Sequence, residues 1–207
     1  GKSLINILFA RTLDEVGLKV LLIDADMRKP RLHKYLNINN IKGLSNYITE
    51  GSDNYQKYIT NIKETNNISV MTSGIKPPDT TRLLSSKRMK NLIDKLNNDT
   101  NYDFILIDSP PVIGLSDSLI ISEYVDSFIL ICSLNQVVKN IHTSAVQQLQ
   151  KKGAPLAGLL SNDANGKFRA ESTQFGMKYG YGYSNYGYGY SNYSYGEYQY
   201  IYDNYSE

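Results

Sequence analysis

Two apolar segments that each end in aspartate constrain the fold of this 207-residue chain more than any other feature. These segments are KVLLID at 19–24 and YDFILID at 102–108. They are almost continuously apolar, as expected of parallel strands that are covered on both faces. Parallel strands must be joined by long crossover connections, which are usually helices. The two segments therefore predict a layered α/β fold.

The rest of the chain continues this alternation of strands and helices. Further strands are predicted at 68–72, 126–134 and 155–161, and helices at 3–16, 83–97, 116–124 and 139–152. Gly17 follows the first helix, where a glycine commonly ends a helix. The order of elements predicts a doubly wound, mostly parallel sheet. From about Ala164 glycine, serine, asparagine and tyrosine replace the apolar periodicity, which predicts one domain at 1–163 and a flexible tail at 164–207.

Composition excludes several classes of protein. The net charge of +2 gives no electrostatic basis for binding nucleic acid or a membrane surface. The single cysteine, Cys132, excludes an internal disulfide framework and is typical of a reducing cytosol. No stretch approaches the roughly 18 to 20 apolar residues that a membrane-spanning helix needs. The chain opens at GKS without a methionine, and we expect it to be a piece of a longer protein.

Gly1-Lys2-Ser3 stands directly before the first predicted helix. It matches the last three residues of a P-loop, GxxxxGK(S/T), in which backbone N–H groups at a helix N-terminus hold phosphates. In that motif the lysine reaches the β- and γ-phosphates, and the hydroxyl is a ligand of Mg²⁺. We therefore predict that Gly1, Lys2 and Ser3 bind nucleotide phosphates, with Ser3 also a ligand of Mg²⁺.

The acidic strand ends supply the remaining candidate ligands. Asp24 and Asp26 come at and just after the end of one strand, followed by Arg28, and Asp108 ends another. Ligands bind at the carboxyl ends of strands in open α/β sheets, and Mg²⁺ takes one or two carboxylates together with substrate phosphates. Asp108, before Ser-Pro-Pro, matches a Walker B aspartate. The sequence thus predicts a P-loop nucleotide-binding domain that uses Mg²⁺, and the resemblance described next implies that the nucleotide is ATP.

Taken together, these motifs resemble the cytoplasmic domain of bacterial tyrosine kinases, the autokinases of capsule and exopolysaccharide export. The resemblance rests on GKS, VLLIDADMRKPRLH, GLSNYITEG, SGIKPP followed by LLSS, and YDFILIDSPPV, and it covers nearly all of residues 1–163. Its most specific part is the combination of a Walker A remnant, hhhDxDxR and hhhDxPP. The chain departs from the family at PPDTTRLL (77–84), where the family reads PPNPxELL and Arg82 replaces a glutamate.

The resemblance implies a role for each matched residue. It makes Lys2, Asp24, Asp26 and Asp108 catalytic, with Asp24 orienting or deprotonating the incoming tyrosine and Asp26 and Asp108 serving Mg²⁺. It places Arg28 at the nucleotide and Asn162 near its base. It implies a P-loop NTPase fold of the deviant Walker type, of which the first strand and most of the Walker A motif would lie before Gly1.

The same resemblance implies partners and a location. Family members form ring-like homo-oligomers and act with a membrane polysaccharide co-polymerase module, fused upstream or separate, and with a cognate phosphatase. The kinase domain would lie in the cytoplasm at the inner face of the cell membrane. No nucleic-acid partner is expected.

The tail fits this interpretation, because 12 of the 18 tyrosines lie between Tyr179 and Tyr205. A flexible tail of about 40 residues has a root-mean-square reach of about 35 Å, which would let it visit a neighbouring subunit. The predicted phosphoacceptors are Tyr179, Tyr181, Tyr183, Tyr186, Tyr188, Tyr190, Tyr193, Tyr195, Tyr198, Tyr200, Tyr202 and Tyr205. The alternative is a non-kinase deviant Walker ATPase that switches dimerisation with ATP, which leaves the tyrosines unexplained.

Overall fold

The computed structural model describes residues 1–63, 65–133 and 140–162, which lie within one compact unit, Gly1–Ala164. The described strands are β1 (Val20–Asp24), β2 (Thr60–Asn61), β3 (Ile68–Met71), β4 (Phe104–Asp108), β5 (Phe128–Ser133) and β6 (Leu156–Asn162). The described α-helices are α1 (Lys2–Glu15), α2 (Leu32–Tyr35), α3 (Leu44–Glu50), α4 (Thr80–Leu84), α5 (Lys87–Asn97), α6 (Asp117–Ile121) and α7 (Ile141–Lys151). A 3₁₀ helix spans Tyr55–Tyr58.

The strands form two groups. One sheet has the order β2-β3-β1-β4, with β1 parallel to both β3 and β4, and β2 antiparallel at its edge. The parallel strands β5 and β6 form a second, two-stranded sheet. The prediction of a mostly parallel α/β fold is confirmed.

Strand β1 lies at the centre of the core, and all five of its residues are buried. Side chains alternate across a strand, so Val20 and Leu22 join a cluster with α1, whereas Leu21 and Ile23 pack with α5 on the other face. Helices therefore cover the sheet on both faces. This arrangement explains why the β1 sequence is apolar throughout instead of alternating.

Local signals set the helix boundaries. Helix α1 ends in a Schellman motif, in which the Gly17 N–H donates to the Asp14 carbonyl at 2.9 Å and the Leu18 N–H to the Leu13 carbonyl at 3.0 Å. Gly17 has φ of +84°, so its predicted role at the helix end is confirmed. In contrast, the helix predicted at 83–97 is confirmed only from Lys87 to Asn97, because its first residues belong to α4 and to the break after it. The Ser86 hydroxyl accepts from the Met89 N–H and starts α5 as a new helix after α4.

In the part of the chain that the structure describes, no helix is both long enough and apolar enough to cross a bilayer. Helices α2 and α3, the 3₁₀ helix and β2 were not predicted. The predicted tyrosine-rich tail lies outside the described residues.

Candidate active site

The two acidic strand ends meet at one edge of the four-stranded sheet. Asp24 and Asp108 are directly opposite each other in the parallel register of β1 and β4. The Ala25 N–H extends this pairing by donating to the Asp108 carbonyl at 2.9 Å. Helix α1, which carries Lys2 and Ser3 in its first turn, packs against both strands. The fold thus brings together the three motifs that the sequence analysis combined.

Asp108 is buried but incompletely hydrogen-bonded. It is 1% exposed, and its Oδ1 accepts from the Asn6 amide of α1 at 3.2 Å. Its Oδ2 has no hydrogen-bond partner among the described residues. Burial raises the pKa of Asp108, and the Ser3 hydroxyl, the Lys2 charge and the Asn6 amide act against that rise. A buried carboxylate oxygen without a partner fits a ligand that brings hydrogen-bond donors or positive charge.

Asp24 has a different environment. It is 0% exposed, its Oδ1 accepts from the Asp26 N–H, and its Oδ2 accepts from the Arg31 and Leu32 N–H groups, each at 3.2 Å. Burial, helped by the negative charge of Asp108, raises the pKa of Asp24 to about 7, against the lowering effect of the Leu32 and Arg31 N–H groups. Asp24 therefore organises the loop that follows β1.

Asp26 lies in that loop and is half-buried. Its Oδ1 accepts from the Lys29 N–H at 3.0 Å, which closes a tight turn. Its negative charge contributes to the raised pKa values of both Asp24 and Asp108, so it lies near both of them. Asp26 is thus the more accessible of the two carboxylates that the sequence places after β1.

The Arg28 side chain binds a residue that the sequence analysis did not consider. Its Nε donates to Asp117 Oδ2 at 2.7 Å, and its Nη2 donates to Asp117 Oδ1 at 3.2 Å and to the Thr81 hydroxyl at 3.0 Å. The guanidinium thus forms a bidentate ion pair with the first residue of α6. A contact between Arg28 and a nucleotide stays a prediction.

Asn162 is the last residue of β6, and its side chain reaches the phosphate-binding motif. A Cβ atom added to Gly1 would lie 2.4 Å from Asn162 Nδ2, closer than non-bonded atoms approach. A larger residue at this position would therefore have to displace the Asn162 amide. The prediction that Asn162 lies beside a bound base is untested, but its side chain is next to Gly1.

Comparison with known proteins identifies the family. The profile described as an AAA domain matches residues 1–151. The tyrosine-protein kinase CpsD of Streptococcus agalactiae serotype III (strain NEM316) is 33% identical over 168 residues, which is 80% of this chain and 70% of that protein. The crystal structure of the chimerical protein CapA2B2 superposes with a TM-score of 0.71 at 31% identity, over 76% of this chain and 68% of that one.

The chain belongs to the bacterial tyrosine-protein kinases. The share of the relative that the chain covers differs among these kinases. The Escherichia coli (strain K12) tyrosine-protein kinase etk is 30% identical over 84% of this chain, but the match covers only 23% of the etk protein. The septum site-determining protein MinD of Pyrococcus horikoshii OT3 superposes with a TM-score of 0.57 at 22% identity, which shows a shared fold alone. The comparisons thus favour the tyrosine kinase over the alternative ATPase.

The candidate magnesium ligands of this kinase are Ser3, Asp26 and Asp108. Within the described ranges, no three His, Cys, Asp or Glu residues form a cluster that could hold a metal by themselves. Mg²⁺ keeps several waters and binds one or two carboxylates together with phosphates. Asp108 interacts with the Ser3 hydroxyl, and its Oδ2 has no hydrogen-bond partner among the described residues, so this pair fits such a partly hydrated ion.

Two residues of the kinase site were missed by the sequence analysis. Asn6 stands inside an apolar helix, and Asp117 comes nine residues after Asp108. Asparagine is a poor helix former, so its position in the middle of α1 was a signal for a tertiary hydrogen bond. Asp117 carries no comparable signal, because the sequence around it reads as a polar helix start.

Proposed function

We propose that this chain is an ATP-dependent tyrosine autokinase domain, which transfers the γ-phosphoryl group of ATP to tyrosines of its own C-terminal segment. The observation that carries the proposal is the register pair Asp24 and Asp108 beside the first turn of α1. It puts a cation, a hydroxyl and three carboxylates at the edge of the sheet where nucleotides bind in this fold class. The twelve tyrosines from Tyr179 to Tyr205 supply the acceptors.

Each residue then has a defined task. The tyrosine oxygen forms a bond to the γ-phosphorus while the bond from that phosphorus to the bridging oxygen breaks, and ADP leaves. Lys2 neutralises charge on the transferred group, as the P-loop lysine does. When bound, Mg²⁺ would offset charge on the β- and γ-phosphates, and Ser3, Asp26 and Asp108 are the residues that would hold it.

The phenolic proton must leave during the transfer. Asp24, whose pKa lies at about 7, is the candidate for orienting the tyrosine or accepting this proton, because a base works best with a pKa near the working pH. Its complete burial means that it would act through the loop it organises, or after that loop moves. Arg28 and Asn162 are proposed to contact the nucleotide, with Asn162 toward the base.

The proposal is tested by Lys2→Met in the full-length protein. We expect phosphotyrosine in the 179–205 segment to be abolished, because the charge on the transferred group is no longer neutralised. Lys90→Met is the matched control, since it makes the same substitution at an exposed lysine of α5. Mass spectrometry that finds undiminished phosphotyrosine in Lys2→Met would contradict the P-loop assignment.

We further propose that transfer occurs between subunits of a homo-oligomer, ring-like as in the family that the sequence resembles. A protein without residues 164–207 but with Lys2 intact should then phosphorylate a Lys2→Met protein that keeps its tyrosines. The absence of phosphotyrosine from the Lys2→Met partner would instead show an intramolecular reaction. Both proteins should be mixed at equal concentration and separated by size before analysis.

The biological role that we propose is control of capsule or exopolysaccharide synthesis and export. It would act at the inner face of the cell membrane with a polysaccharide co-polymerase module and a cognate phosphatase. The support is the resemblance of the motifs and the membership of the kinase family.

Phosphorylation adds about −1.5 to −2 charges per tyrosine, and the segment from Tyr179 to Tyr205 now holds only Glu197 and Asp203 as charged residues. We expect unmodified subunits to assemble and heavily phosphorylated ones to separate.

A further inference from the structure

Asp117 is a buried carboxylate whose four hydrogen bonds join separate parts of the kinase site. It is 1% exposed, and each of its oxygens accepts two hydrogen bonds. Oδ2 accepts from Arg28 Nε at 2.7 Å and from the Thr80 hydroxyl at 3.0 Å. Oδ1 accepts from Arg28 Nη2 at 3.2 Å and from the Thr81 hydroxyl at 2.6 Å. Burying a carboxylate is costly unless it is fully satisfied, and here both oxygens are.

Through Arg28, this carboxylate holds the loop that carries Asp26. Arg28 is two residues after Asp26, in a turn closed by the hydrogen bond from the Lys29 N–H to Asp26 Oδ1. The arginine is 40% exposed, so one side of its guanidinium faces solvent while Nε and Nη2 are held. A bidentate arginine–carboxylate pair restrains both distance and orientation. The turn around Asp26 is therefore held to α6.

The next residue, Ser118, holds the loop that follows Asp108. Its buried hydroxyl donates to the carbonyl of Pro110, which is two residues after Asp108. These contacts connect the two acidic loops in a short path. The path runs from Asp26 along the backbone to Arg28, through the ion pair to Asp117 and Ser118, and through the Ser118 hydrogen bond to Pro110 and Asp108. Beyond the strand pairing, this path gives Asp26 and Asp108 a second connection, through α6.

We infer that Asp117 is a positioning residue that, together with Ser118, sets the spacing of Asp26 and Asp108 for a divalent cation bound with the nucleotide. The inference rests on the proposed function, since it takes these two carboxylates as the ones that serve Mg²⁺. The first turn of α6 acts as a spacer between the loops after β1 and β4. It does not itself contact the cation or the nucleotide.

The two threonines that complete the Asp117 cluster lie where this chain departs from the family pattern. The segment PPDTTRLL replaces PPNPxELL, so Thr80 stands where the pattern has a proline. A proline has no hydroxyl to donate, whereas the Thr80 hydroxyl satisfies a lone pair of Asp117. In this chain, threonine at position 80 therefore adds a hydrogen bond to the spacer and links α4 to it.

The test compares Asp117→Asn, Arg28→Gln and the double variant with wild-type protein. Isothermal calorimetry would measure ADP binding at a series of Mg²⁺ concentrations, and in EDTA. We expect each single variant to raise the half-saturating Mg²⁺ concentration about five-fold or more, and Asp117→Asn to bind ADP in EDTA as the wild type does. The half-saturating Mg²⁺ concentration of the double variant should be no higher than that of the more affected single variant, because both substitutions break the same ion pair.

Arg82→Gln is the matched control, because it makes the same substitution at an exposed arginine next to Thr81. We expect it to change the half-saturating Mg²⁺ concentration less than two-fold. If Asp117→Asn does not fold, Thr81→Val removes one hydroxyl with little change of shape, and a two- to three-fold rise is expected. If Asp117→Asn or Thr81→Val raises the half-saturating Mg²⁺ concentration no more than Arg82→Gln does, the inference is overturned. Strictly additive effects of Asp117→Asn and Arg28→Gln would also overturn it. Neither outcome would contradict the proposed function. Wild-type protein whose ADP binding is independent of Mg²⁺ would overturn the proposed function as well.

Discussion

The ends of β1 and β4 lie side by side, and their terminal aspartates have opposite surroundings. Asp24 accepts three backbone N–H groups from the loop that follows it. Asp108 accepts one side-chain amide at Oδ1, and its Oδ2 has no hydrogen-bond partner among the described residues. A carboxylate saturated by backbone donors fixes the shape of a loop, whereas one with a free oxygen can take a ligand. Two residues in the same register therefore have different tasks.

The largest effect that this comparison predicts is that of Asp108→Asn. The substitution keeps the shape of the side chain but removes the charge from the free oxygen, so we expect kinase activity at fixed Mg²⁺ to fall by about 100-fold or more. The measurement is the rate of phosphotyrosine formation across a Mg²⁺ series. Asp126→Asn, at an exposed position, is the control. Equal losses in both variants would remove the distinction between Asp108 and other acidic residues.

Asp24→Asn should act on stability and on its pH dependence. The pKa of Asp24 is raised to about 7 by burial and by Asp108, so the folded state keeps a proton that the unfolded state loses. The free energy of unfolding therefore falls as pH rises from about 4 to 7, by up to about 1.4 kcal/mol per pH unit from this one group. Asparagine lacks this slope.

Urea denaturation at pH 5, 6 and 7 in EDTA would measure the difference between wild type and Asp24→Asn. We expect the wild type to lose stability relative to the variant as pH rises. A parallel pH dependence in both proteins would show that Asp24 is ionised in the folded state across this range. A pH–rate profile of the same variant would then separate a base from a loop anchor, since only a base contributes an acidic limb to the profile.

The smallest effect concerns Asn6, which supplies the hydrogen bond that Asp108 receives from α1. That bond lowers the pKa of Asp108, so Asn6→Ala should raise this pKa and leave Asp108 protonated up to a higher pH. The acidic limb of the kinase pH–rate profile should then move to higher pH, with a loss of a few-fold at neutral pH. Asn91→Ala, on the exposed side of α5, is the control. An unmoved acidic limb would mean that Asn6 does not tune Asp108.

Sequence patterns were sufficient for the parts of the site that are set by local structure. A strand that ends in aspartate delivers the carboxylate to the sheet edge, and the helix after GKS begins where its polar start predicts. The kinase family also followed from these motifs, and the comparisons confirm it. These features depend on residues that are adjacent in the sequence, so short sequence motifs are enough to predict them.

Contacts between distant residues could not be predicted in the same way. Asn6 and Asp108 are 102 positions apart, and Arg28 and Asp117 are 89 apart. Helix α3 was missed for a related reason, because Ser45 and Asn46 look like loop residues. In the fold they are buried, and Asn46 Oδ1 accepts from the N–H groups of Gly43 and Ile75 at 3.3 and 3.2 Å. Which donors satisfy a buried polar group depends on the tertiary structure.

The contact between Asn162 and Gly1 fixes where the tyrosine-bearing segment is tethered. The chain leaves β6 beside the phosphate-binding motif, with Tyr179 coming 17 residues after Asn162 and Tyr205 coming 43 after it. For a flexible segment, as the sequence predicts, the entropy of reaching an active site in the same oligomer grows only with the logarithm of the tether length, so the two ends of the cluster would differ by about 0.8 kcal/mol in closure free energy. Effective concentrations at the site would then vary by only about four-fold along the cluster. If the proposed autokinase reaction takes place, the number of modified tyrosines would then matter far more than their positions.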